Sequence, residues 1–103
     1  MPIPVAAALE AASAGATEDF LAAFAQDGAV DDWGREFRGH EAIRRWSDAE
    51  FIGKEVTLRV TGTRIEGATT TVSADVGGKG FNGPSDFAFT VADDLITLMR
   101  ITG

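Results

Sequence analysis

The sequence predicts an α+β domain, with three N-terminal helices packed on a strongly curved antiparallel sheet. Two observations carry this reading. Up to Gly53, apolar residues recur at helical spacing, as in Val5, Ala8, Leu9, Ala12 and again in Ala42, Ile43, Trp46, Ala49. After Gly53 the period becomes two, and four alternating runs follow with turn residues between them. A chain of 103 residues is expected to form a single domain spanning 1–103.

The elements are justified in order. Residues 1–13 form the first helix, with Pro4 in its first turn, and Ala14-Gly15-Ala16 ends it. Thr17 caps a second helix whose first turn carries Glu18 and Asp19. Phe20, Leu21 and Phe24 line one face of it, and Gly28 falls in its C-cap region. Residues 29–37 read as a short strand, a polar turn and a second extended piece. Helix three covers residues 40–51 and is closed by Gly53. Val56, Leu58 and Val60 then alternate with polar residues, and Gly62 marks a bulge. Val72, Ala74 and Val76 form the next strand, Gly77-Gly78-Lys79-Gly80 a hairpin tip, and Phe87 and Phe89 the core positions of the third run. Asp93-Asp94 turns the chain into the last strand, in which Ile96, Leu98 and Arg100 alternate with Thr97, Met99 and Ile101.

Composition bounds the function. Hydrophobic residues make up 45% and charged residues 24%, an ordinary globular mixture able to bury a thin core. The net charge of −7 argues against nucleic acid and anionic membrane as partners, since both need basic patches. There is no Cys and one His, so neither a disulfide framework nor a poly-ligand metal site is expected, and no cofactor is implied. No basic residue precedes the apolar N-terminal stretch, so the expected compartment is the cytoplasm.

The stretch AVDDWGREFRGHEAIRRW, residues 29–46, organises the chemistry. Val30 and Asp32 share strand parity, so if Val30 enters the core, Asp32 points there as well. A carboxylate on an apolar wall with no basic neighbour is a candidate general base. On that reading Asp32→Asn raises stability, because a desolvated charge is removed.

The segments FLAAFAQDGAVDD, REFRGHEAIRRW and ADDLITLMRI, with the element order, resemble the nuclear transport factor 2-like superfamily, and within it the SnoaL-like and ketosteroid isomerase-like branch. The resemblance implies a cone-shaped fold whose helices and curved sheet enclose an apolar pocket. It also implies that the outer sheet face pairs two subunits. It puts Asp32 at the proton-shuttling position. It further implies an oxyanion donor on the third strand run, where Pro84-Ser85-Asp86 stands. A gapless count selects Asp86, whereas the alternation of Phe87 and Phe89 sends Asp86 to the other face and leaves Ser85. The isomerases carry a helix-one Tyr as their main oxyanion donor. This chain has no Tyr, and Ala8 falls near that position.

The candidate catalytic residues are therefore Asp32 and Asp86. Trp33, Phe37, His40, Trp46, Phe87 and Phe89 are the candidate ligand contacts, His40 being equally readable as a helix-cap residue. Arg35 and Arg38 serve either to neutralise Asp31 and Glu36 or to clamp a ligand carboxylate. Epoxide hydrolysis is a distant third reading; it would need an Asp–Arg–Asp water-activating set in the pocket, drawn from Arg59, Arg64, Arg100 and these acids. The expected function is a cofactor-free isomerase or cyclase acting on a small apolar carbonyl compound. The alternative is a non-catalytic binding or dimerisation module of the same fold. A homodimer is expected through the sheet face bearing Thr57, Arg59, Thr61, Thr71, Ser73 and Asp75.

Overall fold

The computed structural model describes all 103 residues. Helix α1 spans Ile3–Ala14 and α2 Thr17–Ala22; strand β1 follows at Phe24–Asp32 and β2 at Arg35–Arg38; α3 covers His40–Glu50. A single 3₁₀ turn, Ile52–Lys54, leads into β3 (Thr57–Glu66), β4 (Thr69–Gly77), β5 (Gly83–Ala92) and β6 (Leu95–Thr102). The six strands form one sheet in the order β2-β1-β6-β5-β4-β3. No helix is long and apolar enough to cross a membrane.

The α+β class stands, and three expectations change. The sheet is not wholly antiparallel, because β1 runs parallel to β6. Helix three is not N-terminal to the sheet but lies between β2 and β3. The second helix stops at Ala22, and Phe24 already belongs to β1. Phe20 and Phe24 look like one helical face in sequence. In space they meet edge to face at 5.2 Å, one from the helix and one from the strand, so the same pair of contacts is made by a different backbone. Gly28 is not a helix cap. It sits where the β1–β6 register shifts, and a Cβ there would lie 2.9 Å from the Ile96 carbonyl oxygen.

The helices cover one face of the sheet. Val5, Ala8, Phe20, Leu21, Ile43 and Trp46 pack into one cluster with Val30, Val72, Phe87, Phe89 and Met99. In β6 the alternation breaks: Ile96, Met99 and Ile101 are buried, whereas Leu98 is half-buried. The opposite sheet face is polar, with Arg59 paired to Asp75 and the Ser73 hydroxyl donating to Asp86 Oδ1 at 2.7 Å. The bulge foreseen at Gly62 falls between Val60 and Gly62, and it leaves Thr61 to donate its hydroxyl to the Ser73 carbonyl at 3.2 Å.

Two local features aim residues at the helix-bearing face. The β1–β2 turn, Asp32-Trp33-Gly34-Arg35, has positive φ at Trp33 (53°) and Gly34 (89°), the geometry of a tight type I′ hairpin. Asp31 Oδ1 accepts from the Gly34 N–H at 2.7 Å and holds that turn. After α3, the chain doubles back so tightly that a Cβ at Gly53 would lie 1.6 Å from the Asp48 carbonyl oxygen. Only glycine fits there; just before the reversal Phe51 stacks on Trp46 at 4.9 Å, and Ile52 joins the same apolar cluster.

Candidate functional site

A cavity of about 300 Å³ opens between α3, the 3₁₀ turn and the far ends of β1, β4, β5 and β6. Its inner wall is apolar, formed by Trp46, Phe51, Val56, Val76, Phe87 and Ile101. Polar groups enter at few places: Asp32, Glu50, Lys54 and Ser85. Trp33 and Phe81, 62% and 57% exposed, stand on the same lining.

Asp32 ends β1 on the cavity wall, with its side chain 15% exposed. Both donors it receives converge on one oxygen. The Trp46 indole N–H donates to Oδ2 at 3.1 Å, and Arg35 Nη2 donates to the same Oδ2 at 2.5 Å. Arg35 is held in turn by Glu50, at 3.0 and 2.8 Å through two nitrogens. The expectation that Asp32 has no basic neighbour therefore fails: the tight β1–β2 hairpin places Arg35 directly opposite Asp32 in register. The bonds to Glu50, with Asp32 nearby, raise the Arg35 guanidinium above its ordinary value, while Arg35 holds Glu50 below the usual carboxylate range. Acid–Arg–acid is thus the arrangement on the cavity rim. Arg59, Arg64 and Arg100 pair elsewhere, with Asp75, Glu66 and Asp31.

Asp86 is not in the cavity. Strand alternation turns it to the opposite face, where it accepts from Ser73. Ser85 takes its place: it is 4% exposed, lines the cavity, and its hydroxyl enters none of the side-chain hydrogen bonds of the protein. Three of the candidate ligand contacts, Trp33, Trp46 and Phe87, line the cavity. The other three do not. Phe37 packs against the Trp46 ring at 6.1 Å and carries Arg35 over its face at 5.5 Å. His40 opens α3, and its Nε2 lies 2.9 Å from the Phe24 carbonyl oxygen, which ties the helix start to β1. Phe89 is 1% exposed in the core and absent from the cavity wall. Ala8, near the expected Tyr position, is likewise core.

Glu50, Lys54 and Phe81 escaped the sequence reading. Glu50 left a signal, since it lies four residues after Trp46 and hence on the same helix face. Lys54 and Phe81 sit on a 3₁₀ turn and a Gly-rich connection, where no period exists to place them. No group of three or more His, Cys, Asp or Glu comes together in a way that would hold a metal ion.

Three helices on a six-stranded sheet, with an apolar cavity between α3 and the sheet and a carboxylate at a strand end, define the class as an α+β protein with an open apolar cavity. Solved structures extend this. A provisionally named polyketide cyclase of Sinorhizobium meliloti superposes with a TM-score of 0.89 at 27% identity, covering 99% of this chain and 95% of its own. A Catenulispora acidiphila protein of ketosteroid isomerase-like fold, solved with trimethylamine, gives 0.83 at 25% identity, covering 100% and 86%. A Mycobacterium tuberculosis protein solved with estradiol-17β-hemisuccinate gives 0.83 at 19% identity, covering 98% and 91%, and shares the fold. Neither a protein-family model nor a curated protein matches the chain. The chain thus has the fold of the nuclear transport factor 2-like, SnoaL-like superfamily, to whose solved members it is similar.

Proposed function

We propose that the cavity is the superfamily's cone-shaped pocket and receives a small, largely apolar carbonyl compound. In this reading the chain acts without a cofactor as an isomerase or cyclase, with Asp32 as general base. The observation that carries it is the asymmetry at Asp32. Both protein donors use Oδ2, which leaves Oδ1 without a protein partner on a cavity wall that also presents the Ser85 hydroxyl. Oδ1 takes a proton from the carbon beside the substrate carbonyl. Ser85 donates to the carbonyl oxygen as negative charge develops there. In a β,γ-unsaturated ketone, returning the proton from Oδ1 to the γ carbon as the double bond shifts into conjugation completes an isomerisation; attack of the carbanion on a second carbonyl closes a ring, and the new alkoxide takes the proton back from Oδ1.

The neighbouring structures support a ligand-binding pocket, since two of them hold small molecules. A non-catalytic binding module is the second reading. What favours it is that Asp32 is already engaged by two donors and that the helix-one Tyr is missing. The same single 1–103 domain would act as a homodimer joined through the polar outer face around Arg59, Ser73 and Asp75, in the cytoplasm.

The experiment is turnover by wild type, Asp32→Asn and Asp86→Asn on β,γ-unsaturated ketones, polyketide-like rings and a cyclic epoxide. A general base supplies about 10²–10⁴-fold, so Asp32→Asn should lose activity by that order while Asp86→Asn retains it. Equal turnover by wild type and Asp32→Asn removes Asp32 from the mechanism. Turnover of the epoxide alone moves the reading to water activation by the Asp32–Arg35–Glu50 cluster. Inactivity of wild type across the panel, with ligand binding retained, selects the binding module.

A further inference from the structure

Lys54 stands apart from every other cationic side chain of the protein. The chain has nine Lys and Arg, and the other eight are all ion-paired. Lys54 has no carboxylate partner, although the chain carries sixteen Asp and Glu. A lone unpaired basic side chain in so acidic a chain is unexpected on numbers alone, and this one lies on the lining of the cavity.

Its root is fixed. Lys54 closes the 3₁₀ turn, and its carbonyl accepts from the Lys79 N–H at 2.7 Å. The β4–β5 connection closes on it through two glycines. At Gly78 (φ 126°) a Cβ would come 2.8 Å from the Lys54 carbonyl oxygen, and at Gly80 a Cβ would come 3.2 Å from Lys54 Cγ. The Gly78 approach needs a residue without a side chain, whereas at Gly80 the Lys54 stem packs in close contact. The Lys54 stem therefore lies along Gly80 on the cavity lining, and its ammonium makes no ion pair.

Charge on the lining sums as follows. Arg35 bridges the two carboxylates, Asp32 and Glu50, and offsets one of their charges. Lys54 offsets the other only at a distance, since it contacts neither. The deeper walls, Trp46, Val56, Phe87 and Ile101, offer nothing to an ion. A molecule filling this space thus meets apolar surface inside, aromatic surface at Trp33 and Phe81, and one unpaired cation.

We propose that Lys54 is the specificity residue of the cavity, and that the ligand is an apolar ring compound bearing a carboxylate. This rests on the ligand-binding reading of the cavity given above. The ring occupies the apolar interior, and the carboxylate accepts a charge-assisted hydrogen bond from the Lys54 ammonium. Arg35 is not available for that task, because Glu50 and Asp32 already occupy it.

The test uses a matched pair of probes, phenylbutyrate and phenylbutyramide, which share a body and differ in charge. The readout is intrinsic fluorescence, since both Trp residues of the chain, Trp33 and Trp46, line the cavity. At low salt, wild type should bind phenylbutyrate about fivefold more tightly than the amide, the order that a partly exposed ion pair supplies. High salt should erode that preference. Lys54→Met should bring the carboxylate to the level of the amide without changing the amide, and Lys54→Arg should keep the preference. Lys54 is exposed, so unchanged thermal midpoints should accompany both variants. Equal affinity of the two probes for wild type overturns the role of Lys54 alone, as does a preference that survives in Lys54→Met. Failure of wild type to bind either probe overturns both this proposal and the ligand-binding reading beneath it.

Discussion

Replacing Asp32 by Asn tests the electrostatics of the site through stability, independently of any substrate. Two interactions change. The Arg35 guanidinium is 53% exposed, so solvent screens its pair with Asp32 and that pair is the smaller effect. The Trp46 bond is the larger effect, because Trp46 is 3% exposed and its acceptor is ionised. A hydrogen bond to a charged group contributes about 1.5–3 kcal/mol and a neutral one about 1. The amide oxygen of Asn keeps the contact and forfeits the difference. Relief of desolvation works the other way. It is small here, because two donors and 15% exposure already compensate the charge. The losses win, at about 1–2 kcal/mol. For a domain of this size that is a fall in Tm of roughly 5–10 °C. Thermal and urea unfolding at neutral pH measure it. The result that refutes the reasoning is a midpoint equal to or above that of wild type, the outcome expected of an unpaired buried carboxylate. A double-mutant cycle with Trp46→Phe isolates the indole bond: the two changes should couple by about 1 kcal/mol, and strict additivity would show that the bond contributes nothing.

Two further outcomes are expected. Glu50 and Glu18 are both held below the ordinary glutamate value of 4.5, by hydrogen bonds from Arg35 and Arg44 respectively. In that range the unfolded chain binds more protons than the folded one, so stability rises with pH and is lost as pH falls from about 4.5 through the lower folded-state values. The acid limb of the midpoint-against-pH curve should flatten in Glu50→Gln, and a curve superposing on wild type would refute the pairing. Sedimentation should report a homodimer at micromolar concentration, weakened by Arg59→Glu on the polar sheet face. A wild-type monomer would rule the dimer out.

Local chemistry explains what the sequence determined by itself. Period alone separated the helical region from the strand region at Gly53, because side-chain direction along one element depends only on that element's backbone. The same parity put Asp32 on the wall that Val30 enters, and the alternation of Phe87 and Phe89 already spoke for Ser85 over Asp86. The superfamily was legible because its segments carry both element order and turn chemistry. What the tertiary structure decided is which elements meet. Phe20 and Phe24 have helical spacing, yet the pairing of β1 with β6 draws Phe24 into a strand, and nothing within residues 17–32 encodes that partner. Any of nine cations could have faced Asp32. The β1–β2 register chose Arg35, and Glu50 arrived from a helix fifteen residues later to hold it. Lys54 has no periodic context at all. Its isolation from every carboxylate is a property of the folded surface as a whole, fixed only when the Gly53 reversal and the glycines of the β4–β5 connection close around it.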